Sequence, residues 1–113
     1  MKTVDIFEQY FEADCVYNGR ARHAACVKLT AESDAGSITY EASVSFFPHD
    51  APDDFGISYD AFAAETLCSG KGRRSKKREA ELDDKKFDHF AALAESLNGK
   101  IYFDKPLIEA RRS

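Results

Sequence analysis

Ser37-Ile38-Thr39-Tyr40-Glu41-Ala42-Ser43-Val44-Ser45-Phe46-Phe47 is the stretch that decides the fold class. In an extended chain Ile38, Tyr40, Ala42, Val44 and Phe46 share one face, and Thr39, Glu41, Ser43 and Ser45 share the other. β-Branched and aromatic residues dominate the run, which suits a pleated surface. One dry face and one wet face is the pattern of an antiparallel sheet covered on a single side. The whole chain has 113 residues, 43 % hydrophobic and 32 % charged, which fits a single domain (residues 1–113) able to bury its own core.

Upstream, Ser33-Asp34-Ala35-Gly36 is a turn by composition, and a strand runs back from it through Val27 and Leu29 to about Arg20. Asn18-Gly19 is a strong hairpin signal, because both residues tolerate positive φ. The segment before it, Ala13 to Tyr17, is therefore extended. From Thr3 to Phe11 the apolar residues Val4, Phe7, Tyr10 and Phe11 recur at spacings of three and four, which reads as a short N-terminal helix or irregular entry, with an extended segment as the competing reading.

Downstream, Pro48 to Asp54 reads as a loop, and Phe55, Ile57, Tyr59 and Ala61 alternate again. Ala61 to Leu67 suits either element, since its alanines favour helix. Continuation of a meander favours strand. Gly70 and Gly72 interrupt that element, and Ser75 is a good N-cap for a long helix. Ala80, Phe87, Phe90, Ala91, Ala94 and Leu97 form its core-facing stripe, and Asn98-Gly99 stops it. Lys100 to Asp104 adds a short edge strand that Pro106 ends. The expected architecture is α+β: an antiparallel meander of about three to five strands packed on a long C-terminal helix. Tyr40, Val44, Phe46, Phe55, Ile57, Phe87, Phe90 and Leu97 are its expected core.

Charge is strongly segregated. Six of the eight residues from Lys71 to Arg78 are basic, and the remainder of the chain holds ten basic and twenty acidic residues. Lys71, Arg73, Arg74, Lys76, Lys77 and Arg78 therefore form a candidate phosphate-binding segment at a helix N-terminus. Basic residues there oppose the helix dipole, so stability does not select them. From Leu29 to Gly70 there is no Lys or Arg and there are eight acids. Glu41, Asp50, Asp53, Asp54, Asp60 and Glu65, within residues 32–65, form the alternative site. That surface would dock a basic protein partner, as small acidic inhibitors of phage and mobile elements do, anti-CRISPR-type proteins included. The same polarity suits head-to-tail self-association.

Gly70-Lys71-Gly72-Arg73-Arg74-Ser75-Lys76-Lys77-Arg78-Glu79-Ala80 resembles the GxGxSKKxAK signature of double-stranded-RNA-binding domains. The resemblance implies an α-β-β-β-α order and phosphate contacts by Lys76, Lys77 and Arg78. One extra residue separates Gly72 from Ser75, Glu81 replaces a lysine, and no Gly-Pro-x-His loop precedes Ser37.

Enzyme signatures are absent. No GxSxG, HExxH, GxxxxGK[ST] or paired-cysteine pattern occurs. His49-Asp50-Ala51-Pro52-Asp53-Asp54 lacks EF-hand spacing, so no metal or other cofactor is expected. Cys15, Cys26 and Cys68 are odd in number and widely spaced, which predicts reduced, buried thiols. The N-terminus has no apolar signal core and no run is long enough to cross a membrane. The expectation is a cytoplasmic, non-catalytic binding protein.

Overall fold

The structure, a computed structural model, describes residues 2–17, 19–47 and 61–107. The elements in chain order are β1 (Lys2–Tyr17), β2 (Arg20–Asp34), β3 (Ser37–Phe47), β4 (Ala61–Lys71), α1 (Lys76–Ser96) and β5 (Gly99–Pro106). They form one sheet of order β4-β3-β2-β1-β5, with every neighbouring pair antiparallel. Four strands are a meander. The chain then crosses the sheet through α1, and β5 pairs with β1 at the far edge. The α+β expectation holds in this form: the edge strand expected at Lys100 to Asp104 is β5, which makes α1 the penultimate element and not a C-terminal one. The observed order also differs from the α-β-β-β-α that the resemblance implies.

The turns follow local chemistry. Gly19 takes φ +75°, and in the β2–β3 turn Ala35 and Gly36 take φ +50° and +82°. Two consecutive positive φ values match the right-handed twist of a tight hairpin. Ala61–Lys71 is a strand, and Gly70 belongs to it, paired with Ile38. Gly72, at φ +111°, is where the chain leaves the sheet.

The expected N-terminal helix is a strand. β2 is 15 residues long and offers β1 a pairing template from Tyr17↔Arg20 down to Lys2↔Ser33. A short isolated helix has no comparable support. Register shifts between Asp5 and Phe7 and between Glu12 and Cys15 break strict alternation. Between Phe7 and Phe11 the alternation is regular, so both face α1, while Tyr10 packs on the opposite face with Ala24, Cys26 and Phe47. The first shift puts Val4 and Phe7, three apart, on one face, and Phe11 follows four residues on, which mimics helical spacing.

The core lies between the sheet and α1. Phe11, Val27, Leu29, Val44 and Phe46 meet Phe90, Leu93, Ala94 and Leu97, with Ile101 closing the β5 side. Tyr40 is buried beside them. Phe55 and Ile57 lie outside the described residues. The helix stripe matches expectation in its second half, where Phe90, Ala94 and Leu97 are buried, but Ala80 and Ala91 are exposed and Phe87 is 41 % exposed. Lys86 and Leu93 join the buried line in their place. Lys86 hides this phase. Its Nζ sits 4.7 Å from the Phe7 ring centre and 4.8 Å from that of Phe87, and donates to the Asp83 carbonyl at 3.0 Å. A lysine can occupy a core-facing position when its stem packs and its charge finds rings and oxygens. Cys15 and Cys26 are buried and Cys68 is half-buried, and none of the three is in a disulfide, as expected.

The C-terminal turn of α1 makes one glycine obligatory. A Cβ on Gly99 would lie 2.6 Å from Phe46 Cζ and 3.0 Å from Cys15 Cβ. Phe46 is fully buried and has nowhere to retreat. Gly99→Ala is expected to destabilise the fold by about 1–3 kcal/mol through overpacking, read as a lower urea midpoint with an unchanged slope.

Candidate nucleic-acid interface

Strand order assembles one end of the molecule from four distant stretches. Lys2 opposes Ser33 at the start of β1, and Ser37 opposes Lys71 at the end of β4. The Gly72 N–H donates to the Gly36 carbonyl at 2.8 Å, tying the basic loop to the β2–β3 turn. Ser75 then caps α1: its side chain accepts from the Arg78 N–H at 3.2 Å. The Lys76 and Lys77 N–H groups, in the same first turn, have no acceptor within the helix.

The six basic residues divide into two groups. Arg74 is held by Glu79 through two parallel bonds, Nε to Oε2 at 2.8 Å and Nη2 to Oε1 at 2.9 Å. The Tyr40 hydroxyl donates to the same Oε2 at 2.9 Å and accepts from the Ser75 N–H at 3.0 Å. Arg78 turns back to the Cys68 sulfur on β4. Lys71, Arg73, Lys76 and Lys77 are exposed and make no ion pair among the described residues. Sequence reasoning treated all six alike. The structure makes Arg74 part of the scaffold and leaves four cations facing solvent.

Tyr40 and Glu79 were missed as contributors to this end. Tyr40 reads as a core residue and is one, but a buried tyrosine hydroxyl needs a partner. That need was the available signal. Glu79 lies in the first turn of α1, where a carboxylate complements the dipole. The hydrogen bonds from Arg74 hold its carboxyl below the ordinary value of 4.5, helped by Tyr40 and opposed by desolvation. A depressed folded value means that this contribution is complete above the unfolded value. It is lost as pH falls through the folded one. Glu79→Gln is therefore expected to lower stability at pH 7 by about 1 kcal/mol. The gap from wild type should close as the pH drops below the carboxylate range, measured by urea melts across pH.

The alternative acidic set does not share a face where it is described. Glu41 lies on the sheet face away from α1, opposite Thr66 and Thr30. Glu65 lies on the α1 face, its Oε1 3.2 Å from His89 Nδ1. Asp50, Asp53, Asp54 and Asp60 fall outside the described residues. Among the described residues no three His, Cys, Asp or Glu side chains gather as a metal site, and no helix is long and apolar enough to cross a membrane. No protein-family model matches the sequence, and no significant match appears among curated proteins or solved structures.

Proposed function

We propose that the chain is a non-catalytic binding protein that contacts the phosphodiester backbone of RNA or DNA through Lys71, Arg73, Lys76 and Lys77. Arg74 and Arg78 shape the loop that presents them. The observation that carries this reading is the uncompensated charge. Four exposed cations crowd the N-terminus of α1 in a chain whose remainder is acidic, and they have no intramolecular partner among the described residues. Like charges beside the positive end of a helix are unfavourable for folding. An external anion relieves that cost, and helix N-terminal N–H groups add donors to it. Backbone contact is independent of sequence and salt-sensitive. A cytoplasmic setting with access to nucleic acid is what this reading requires.

The test is an amide chemical-shift titration with short RNA and DNA, each as single strand and duplex. Shifts concentrated at Lys71–Arg78 support the proposal and identify the preferred form. Shifts elsewhere, or none at low salt, remove it.

A further inference from the structure

Arg73 lines a hollow of about 640 Å³ that Lys2 and the β2–β3 turn also line. Lys2 is 69 positions before Lys71 in sequence, and the sheet alone brings it to this end. Two of the hollow's lining residues, Gly36 and Gly72, have no side chain. A Cβ built on Gly36 or Gly72 would meet no atom within 4 Å, so a ligand can approach the backbone there directly. The walls are cationic: Lys2, Arg73 and Arg74 line the hollow, against one carboxylate, that of Asp34. Arg74 is already paired with Glu79, so Lys2 and Arg73 are the charges left to a ligand.

We infer that this hollow is a second phosphate subsite, in which Lys2 and Arg73 hold a phosphodiester that continues the backbone run from Lys76 and Lys77. Asp34 on the same rim repels that phosphate and keeps affinity below what the cations alone would give. The inference rests on the proposed function, and it adds two residues outside the basic segment with effects of opposite sign. Accessible glycine backbone beside cations is the chemistry that receives a phosphate closely. The turn bond at this residue, Ser37 Oγ to the Asp34 carbonyl at 2.8 Å, uses main chain and survives Asp34→Asn.

Fluorescence anisotropy with the preferred labelled nucleic acid, at several salt concentrations, tests it on the intact chain. Lys2→Gln should weaken binding about fivefold and reduce the salt slope by about 1. Asp34→Asn should tighten binding about threefold by removing one repulsive charge. Lys85→Gln, an exposed lysine further along α1, should leave binding unchanged. Circular dichroism melts confirm that each variant folds. If Lys2→Gln and Asp34→Asn bind like wild type while Lys76→Glu/Lys77→Glu loses binding, the subsite is wrong and the proposed function stands. Absence of wild-type binding at low salt overturns both.

Discussion

Reversing Lys71, Arg73, Lys76 and Lys77 to glutamate together is expected to lower affinity for RNA or DNA at least about a hundredfold. Each substitution removes a cation that would neutralise a phosphate and adds an anion that repels one. The fold should survive. None of the four makes an ion pair among the described residues, and surface changes of this kind usually stay within about ±0.5 kcal/mol. Glutamates at the start of α1 also complement its dipole, so a small stabilisation is expected. The variant should therefore melt no lower than wild type and bind nothing. An anisotropy titration beside a thermal melt separates the two readouts. Arg74→Gln is the instructive contrast: it leaves Glu79 without its guanidinium partner and should lower stability as well as binding.

Phe90→Ala is the substitution expected to damage the fold most, by about 3–5 kcal/mol. A typical domain has only about 5–15 kcal/mol in total, so the variant is expected to unfold at a much lower urea concentration than wild type. Phe90 is fully buried, and its ring stacks 6.2 Å from that of Phe7. α1 is the one helix among the described residues, so a cavity under it has no second layer to collapse into it. Phe87→Ala is expected to cost about 1–2 kcal/mol, since that ring is already 41 % exposed. Urea unfolding of the pair measures the helix phase directly. Equal losses would mean that α1 is rotated from the arrangement described.

The sequence announced its punctuation better than its elements. Asn18-Gly19, Ala35-Gly36, Ser75 and Asn98-Gly99 each fix a boundary through local backbone chemistry, and each boundary appears where expected. Ser37–Phe47 was legible because its alternation is uninterrupted. β1 was not, because two register shifts alter which residues face α1. The phase of α1 was obscured by Lys86, whose charge is satisfied by two rings and a carbonyl that no spacing rule reveals. At the candidate site, the basic run was visible as composition. Its division into Arg74, spent on Glu79, and four free cations is a tertiary fact. So is the arrival of Lys2, which depends on β1 pairing with β2 along its full length.

The most direct measurement is the salt dependence of wild-type binding to a short duplex, plotted as log K against log salt concentration. Four neutralising cations, with Lys2 as a fifth, predict a straight line of slope about −3.6 to −4.5. A slope near zero, or no binding at low salt, would contradict phosphate contact at the N-terminal end of α1.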